Sequence, residues 1–390
     1  MNQKELMELR RRFRQEKSGI SHIYGCYVNS SREIISWVDA SLGRMQQDEQ
    51  EIYLSLLKKA LTGALDKNLL PITFSTQQVM DSPEHRLLQT LRQTALKDQE
   101  AREALCRKIV ETMDMGERNY LILLAADAYD VPGRGSDGEE LADGSEQVFR
   151  YIVCAICPVK APELELRYST EEKAFRSCST GHIASPPELG FLFPAFDGRC
   201  ANIYGALYYS KSAAEIHPEV VDAVFHVEPP LPAPEQKGIF DTALQDTLRQ
   251  DCSFAVVQAV HEQIFTLLHD HKESRDPEPP AISVEEAADI LRSSGVSQEQ
   301  AQAFQKQCET EYGQDASLNP GNIVESRKFE VCTPEVKISV APENSYLIET
   351  RVLQGRKYLL IPASGGVQIN GIQIAMEPAG DPEDPEEQQD

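Results

Sequence analysis

The middle of the chain, residues 118–228, constrains the fold most, because it contains a series of apolar runs separated by short polar segments. Aromatic and β-branched residues dominate the runs, and glycine and proline interrupt them, which is typical of strands. The runs are NYLILLAA, VFRYIVCAI, LELRYS, ELGFLFPAF and NIYGALYYS. The segments between them are too short for a regular alternation of strand and helix. This region therefore predicts a largely antiparallel sheet.

Helical patterns precede this region. Apolar residues recur with a period of 3.6 over residues 48–65, 76–95 and 98–114. Two candidate strands, ISHIYGCYV and REIISWV, come before these patterns and are separated by a short polar turn. We therefore predict a helical N-terminal part that contains one hairpin.

A helical hairpin is predicted over residues 283–312. Ser283 precedes Glu286 by three residues, and Ser297 precedes Gln300 in the same way. Each pair is a capping box, in which the hydroxyl and the longer side chain satisfy backbone amides at a helix start. The second helix carries one lysine and several glutamates, which disfavours a role in reading DNA.

These patterns predict an α+β fold. It consists of a helical N-terminal part, a largely antiparallel central sheet, a helical segment and a small C-terminal β module. Proline-rich segments supply natural connectors between the later parts. The predicted division is a helical N-terminal part with its hairpin at 1–116, a central antiparallel β-rich domain at 117–235, the helical segment with the helix-turn-helix hairpin at 236–313, the C-terminal β module at 314–377 and a disordered acidic tail at 378–390.

Charge limits the expected partners. The 390 residues carry a formal net charge of −24, and an acidic excess of this size repels nucleic-acid backbones. We therefore do not expect a nucleic-acid partner. The arginines within residues 1–17 form the one basic patch, and a solvated helix face explains them more simply than contact with RNA or an acidic partner.

No segment has the character of a membrane span or an export signal. The longest apolar runs reach about ten residues, whereas a spanning helix needs about twenty. The N-terminal segment MNQKELMELRRRFRQEK is charged where a signal peptide has an apolar core. We therefore expect a cytoplasmic protein with no membrane partner.

The segment DAYDVPGRGSDGEE contains the first candidate site. Its carboxylates, Asp127, Asp130 and Asp137, have the oxygen chemistry that Mg²⁺ or Mn²⁺ prefers. Its glycines, together with Arg134 and Ser136, could instead bind an anion. The segment matches neither an EF-hand loop nor a P-loop. A glycine-rich turn between two strands accounts for the same composition without any ligand.

A second candidate site follows the turn at Asp197 and Gly198. Arg199 and Asn202 come directly after this turn, among several aromatic residues. They could line a binding groove with an aromatic wall. In the alternative interpretation, two strands of the sheet flank the turn and the aromatic side chains belong to the core.

The cysteines offer a third possibility. Cys154, Cys157, Cys178 and His182 have spacings that would suit tetrahedral zinc. However, the first two lie inside an apolar run that predicts a strand, and residues three apart on a strand point to opposite faces. Buried, reduced thiols explain the pattern better.

Two functional hypotheses remain open. The first is a non-catalytic cytosolic protein that binds a protein partner or another ligand, since the sequence contains no complete catalytic arrangement. The alternative is a metal-dependent enzyme that acts on a phosphate-containing substrate through residues 127–140, with Mg²⁺ or Mn²⁺ on the aspartates and an arginine on the phosphate. Apart from this metal, no cofactor is expected.

Four long segments are distinctive together: GCYVNSSREII, DAYDVPGRGSDGEE, FRYIVCAICPV and PELGFLFPAFDGRCANIYGALYYSK. They resemble an uncharacterised bacterial family known only as a domain of unknown function, of the DUF4317 type. The resemblance spans most of the chain up to the acidic tail. It implies a bacterial cytosolic protein, and it supplies no activity, cofactor or site residue.

Overall fold

A computed structural model describes residues 1–134, 140–314, 316–363 and 366–374, with the side chains of residues 134 and 140–146 outside the description. Ser136, Asp137 and the predicted acidic tail at 378–390 also lie outside the described residues.

The described residues form eleven α-helices and twenty strands, which we number in chain order. The helices are α1 (Gln3–Arg12), α2 (Gln47–Lys59), α3 (Thr76–Asp81), α4 (Pro83–Gln93), α5 (Gln99–Thr112), α6 (Pro218–Phe225), α7 (Ala233–Leu248), α8 (Phe254–Ser274), α9 (Val284–Ser293), α10 (Gln298–Tyr312) and α11 (Pro320–Ile323). The strands of the first half are β1 (His22–Val28), β2 (Ile34–Ser41), β3 (Leu69–Thr73), β4 (Asn119–Arg134), β5 (Glu140–Lys160), β6 (Leu164–Ser169), β7 (Ala174–Ser179), β8 (Ile183–Ala184), β9 (Leu189–Phe193), β10 (Ala195–Asp197), β11 (Cys200–Asn202) and β12 (Gly205–Ser210). The remaining strands are β13 (Ile282–Ser283), β14 (Ser317–Leu318), β15 (Phe329–Cys332), β16 (Lys337–Val340), β17 (Glu349–Leu353), β18 (Arg356–Leu360), β19 (Val367–Ile369) and β20 (Ile372–Ile374).

An eight-stranded sheet organises the first half of the chain. Seven strands follow the order β2-β1-β4-β5-β9-β12-β3, and β8 pairs with β5 beside this path. Every pairing between these strands is antiparallel. The prediction of a largely antiparallel central sheet in an α+β fold is therefore confirmed.

The sheet takes strands from both sides of the predicted boundary at residues 116 and 117. Strands β1, β2 and β3 precede this boundary, whereas β4 and β12, which pair with β1 and β3 respectively, follow it. The hairpin of the N-terminal part thus supplies strands of the sheet, and the helices of this part pack on the faces of the sheet. The division of the chain into domains stays a prediction.

Helices cover both faces of the sheet. Strand residues alternate between the faces, so Ile122 and Leu124 pack towards α4, α5 and α6, whereas Leu123 and Ala125 pack towards α1 and α2. Side chains on both faces of β4 are buried here, which explains why the sequence of this strand is a continuous apolar run.

A separate core holds the helical segment together. Its buried side chains come mainly from α7, α8, α9 and α10. Both predicted capping boxes are present, at Ser283 with Glu286 and at Ser297 with Gln300, and such a cap stabilises a helix by about 1 kcal/mol. The region 239–270 contains parts of two helices, which are separated near residue 251.

The C-terminal strands form three separate two-stranded pairs: β15 with β16, β17 with β18, and β19 with β20. In the last pair, Asn370 and Gly371 both have positive φ, as the two-residue hairpin turn requires. Among the described helices, none combines the length and the apolar character of a membrane-spanning segment.

Candidate functional site

Asp127 and Asp130 lie within strand β4, beyond the apolar run that predicted it. The strand continues because it pairs with β5, with register irregularities only from Val131 onward. Asp127 is buried on the α1 face of the sheet, whereas Asp130 is exposed. The structure therefore does not bring these two carboxylates together. With Asp137 outside the described residues, the three-aspartate metal site stays a prediction.

No group of three or more histidine, cysteine, aspartate or glutamate side chains is arranged to hold a metal within the described part of the chain. For the anion alternative at the same segment, Arg134 is the last residue of β4, but its side chain lies outside the description. Its proposed companion, Ser136, is likewise not described. The anion site at this segment therefore also stays a prediction.

Arg199 links helix α1 to the turn between β10 and β11 by hydrogen bonds. It has a left-handed backbone, with φ at 59°, and its backbone amide donates to Glu5 Oε1 over 3.0 Å. Its Nη2 donates to Glu8 Oε1 over 3.1 Å. Burial by itself would lower the pKa of Arg199, but the bond and the charge of Glu8 outweigh burial and raise it. The guanidinium is thus paired within the protein.

Asn202 lies in a different environment from Arg199. Its Nδ2 donates to Asp197 Oδ2 over 3.3 Å, and its Oδ1 accepts from the amide of Tyr204 over 3.0 Å. It lines a cavity of about 350 Å³ at the junction of the sheet and the helical segment, and Arg199 does not line this cavity. The structure does not bring the two predicted residues to one site.

A buried polar network lies between α1 and the sheet, and we call it the α1 network. The Arg12 Nε donates to Asp127 Oδ2 over 3.3 Å, and the Tyr151 hydroxyl donates to the same oxygen over 3.1 Å. The Tyr129 hydroxyl donates to Glu8 over 2.6 Å. Burial, followed by the charge of Asp127, raises the pKa of Tyr151 well above its usual value. Each arginine of this network has a carboxylate partner.

The cysteines of the proposed zinc set are dispersed. Cys154 belongs to the core under α4 and α5, whereas Cys157 belongs to the core under α1 and α2. Burial raises the pKa of Cys157 to about 12. Burial also raises the pKa of Cys154. Cys178 lies in β7, outside the main sheet. Buried thiols with raised pKa values are poor nucleophiles.

A second polar region lies on the opposite face of the sheet, at the edge of the core under α4 and α5. It is a cavity of about 480 Å³, which we call the cationic cavity. Its walls come from the segment before β1 and the first residues of β1 (within 19–24), the end of α4 and the turn that follows it (within 92–97), β4 (residues 126–128) and β5 (residues 150–151).

Three cationic side chains line this cavity: Arg92, Lys97 and Arg150. None of them has a carboxylate partner among the described residues. The Arg92 Nε donates to the Arg150 carbonyl oxygen over 2.8 Å, which brings the two arginines close together. Burial, and then the charge of Arg150, lower the pKa of Arg92. Within the described part of the chain, like charges thus lie together without a neutralising carboxylate.

Small residues on the sheet leave room for the cavity. Further along β4, Ile122 and Leu124 fill the core on this face. At the cavity the same face carries Ala126 and Ala128 instead, because side chains two residues apart on a strand share a face. The shorter side chains leave the space that the cavity occupies.

The turn between α4 and α5 adopts an unusual backbone. Ala95 and Leu96 have φ values of 50° and 62°, and such left-handed residues, when they are not glycine, cost roughly 1–2 kcal/mol each. The buried side chain of Leu96, and the hydrogen bond of 2.8 Å from its amide to the Leu91 carbonyl, hold the turn in place. This conformation fixes the position of Lys97 at the rim.

Family membership follows from the whole length of the chain. Residues 1–372 match the model of a family described as Domain of unknown function (DUF4317). The chain belongs to the DUF4317 family. This finding confirms the predicted resemblance, while a bacterial origin stays a prediction. Among curated proteins, none matches the chain. Membership of DUF4317 assigns no activity.

Sequence reasoning missed the cationic residues of this DUF4317 chain. Arg92 is one charge among many on a helical pattern, and Lys97 follows that pattern directly. The one local signal is Arg150, which lies between Phe149 and Tyr151 inside an apolar run that predicts a strand. A charge in such a run indicates either an exposed strand face or a site.

An exposed apolar face on β6 and β7 bears on the expected protein partner of the DUF4317 chain. Leu164 and Leu166 are 80% and 72% exposed, and Phe175 is 66% exposed. Among the described residues, these two strands pair with each other and with no third strand. Nothing in the structure says what covers this face, and the protein partner stays a prediction.

Proposed function

We propose that this DUF4317 chain is a non-catalytic binding protein whose ligand is a small anion held in the cationic cavity. One observation carries the proposal: Arg92, Lys97 and Arg150 surround a single cavity, and none has a carboxylate partner among the described residues. The chain has 62 acidic residues against 38 lysines and arginines, so acidic partners for these cations are plentiful in its composition. A cavity in which like charges remain together favours an anion from outside.

The arrangement suits an anion with several oxygens. Arg92 is already oriented, because its Nε donates to the Arg150 carbonyl and its Nη1 donates to Gln89 over 3.2 Å. A guanidinium that is held in place can meet phosphate or carboxylate oxygens with little loss of side-chain entropy. Arg150 and Lys97 are exposed at the rim and can close on a bound anion from two sides.

Calorimetric titration with inorganic pyrophosphate and citrate tests the proposal. We expect the wild type to bind at least one of them, and Arg150→Gln to weaken the affinity about tenfold or more, since a hydrogen bond to a charged group contributes about 1.5–3 kcal/mol. The matched control is Arg86→Gln, which removes an exposed arginine of α4 that does not line the cavity.

Equal affinities in the wild type and Arg150→Gln would overturn the proposal, as would an equal loss in Arg86→Gln. Lys97→Gln supplies a second variant, on the other side of the cavity, and we expect a similar loss from it. The unfolding midpoint in urea, measured for each variant, separates a lost contact from a lost fold.

The metal-dependent enzyme remains the alternative prediction. In the described residues, the carboxylate of Asp127 is paired with Arg12, and Asp130 lies on the other face of the strand. Titration with Mn²⁺ distinguishes the two functions. Binding of Mn²⁺ that is lost in Asp130→Asn would favour the enzyme and would place the function at residues 127–140.

A further inference from the structure

We propose that the anion bound in the cationic cavity is carried by a planar ring, so that the ligand class is a nucleotide. This inference rests on the proposed function and goes further, because it names the part of the ligand that the cations do not contact. Its basis is an aromatic wall beside the three cations, formed by His22 and Tyr24.

The two rings are stacked on each other. Their centroids are 5.9 Å apart and their planes differ by 12°. They share a face because His22 and Tyr24 are two residues apart on β1. The guanidinium carbon of Arg102 lies 4.0 Å from the centroid of the Tyr24 ring. Tyr24 is half-buried and held in place, whereas the His22 ring is exposed.

Aromatic rings beside a cationic groove are the arrangement by which many proteins bind single-stranded nucleic acids without sequence preference. The cations meet the phosphate, and a base stacks on the ring. Here the cations come from α4, from the α4–α5 turn and from β5, whereas the rings come from β1, so the cations and the rings occupy different walls of one cavity.

The size of the cavity fits the same class. At about 480 Å³ it is far larger than a bare phosphate group requires, and sites for small molecules and cofactors occupy about 300–1,000 Å³. Ser21, an exposed residue that also lines the cavity, has its hydroxyl 3.1 Å from His22 Nδ1, beside the rings, where it can contact the sugar. A mononucleotide uses the cations, the rings and the space between them.

The test compares AMP with ribose 5-phosphate, which has the same phosphate and sugar but no base. Calorimetric titration of the wild type should show AMP binding about tenfold tighter or more, since stacking of one base contributes about 1–3 kcal/mol. His22→Ala should reduce this advantage, because it removes the exposed ring and none of the three cations. His22→Phe keeps a flat ring and should restore the advantage.

Each outcome separates the inference from the proposed function. Equal affinities for AMP and ribose 5-phosphate, both weakened by Arg150→Gln, would overturn the assignment of a nucleotide as the ligand. The proposal that the protein binds an anion would still stand. An advantage for AMP that persists in His22→Ala would overturn the aromatic wall as the site of the base. If neither compound binds, and pyrophosphate and citrate do not bind either, the proposed function fails along with the inference.

Discussion

The two faces of the sheet use arginine in opposite ways. On the α1 face, Arg12 and Arg199 each meet a carboxylate, from Asp127 and Glu8 respectively. On the α4 face, Arg92 and Arg150 lie beside each other, and no carboxylate of the described residues meets them. Asp127 also lines the cationic cavity, although its carboxylate oxygen Oδ2 is paired on the other face with Arg12.

The presence or absence of a carboxylate partner distinguishes an arginine that stabilises the fold from an arginine that is available to a ligand. Buried arginines that are fully paired contribute to the specificity of the fold, and removing one partner leaves an uncompensated charge. Unpaired cations at a cavity add nothing favourable to the empty fold, since they repel each other. We therefore expect substitutions in the two regions to change the free energy of unfolding by different amounts and with different signs.

The largest effect is expected for Asp127→Ala. The substitution removes the partner of Arg12 and the hydrogen-bond acceptor of Tyr151 in a buried setting, and breaking a buried pair costs about 3 kcal/mol or more. Urea unfolding measures this loss. Asp130→Ala, an exposed position of the same strand, should change the free energy of unfolding by less than about 0.5 kcal/mol. Equal losses in both variants would show that the α1 network does not stabilise the fold.

Gly19→Ala should destabilise the protein by about 1–3 kcal/mol, the usual range for overpacking. A Cβ atom at this position would lie 2.3 Å from Asp127 Oδ1, so either the ion pair with Arg12 or the segment before β1 has to shift. Gly43→Ala is the matched control, because a Cβ atom there meets nothing within 4 Å. If Gly19→Ala is as stable as this control, the close packing of residue 19 on Asp127 is wrong.

The third prediction concerns pH. Burial and Asp127 raise the pKa of Tyr151 well above its usual value, so the unfolded chain loses this proton near pH 10 while the folded chain keeps it. The contribution is present below pH 10, and it falls as pH rises, by about 1.4 kcal/mol per pH unit. Tyr151→Phe should reduce this alkaline decline in stability. Tyr204→Phe, at a ring that is 43% exposed, should leave the decline as it is in the wild type.

The smallest effect is expected for Arg150→Gln, and it has the opposite sign. Removing one of two neighbouring cations relieves repulsion on Arg92, so the free energy of unfolding without ligand should stay the same or rise by up to about 0.5 kcal/mol. A ligand stabilises the folded state by mass action, so saturating AMP should raise the unfolding midpoint of the wild type far more than that of Arg150→Gln. A loss of several kcal/mol in Arg150→Gln without ligand would make this arginine structural.

Local patterns predicted much of the fold. The capping boxes at Ser283 and Ser297 depend on residues three positions away, and both are present. The antiparallel sheet followed from strand patterns joined by segments too short for crossovers. Helix and strand boundaries differ by several residues, for example where β4 continues through Asp127 into Arg134 because β5 pairs with it.

The site could not be predicted in the same way. Arg12 and Asp127 are 115 residues apart, and Arg92 and Arg150 are 58 residues apart. Whether such pairs meet depends on strand register and on how helices pack against the sheet, and the sequence shows neither. The aspartates of residues 127–140 attracted attention because they are close in sequence, yet Asp127 and Asp130 point to opposite faces of one strand.

The most direct test of the difference between the two faces is a crystal structure of the protein soaked in tungstate, with the anion located by its anomalous scattering. We expect a peak in the cationic cavity, within contact of Arg92 and Arg150, and none beside Arg12 or Arg199, because each of these two already has a carboxylate partner. A cavity without tungstate, or a peak of equal height at the α1 network, would contradict the claim that these unpaired cations form the binding site.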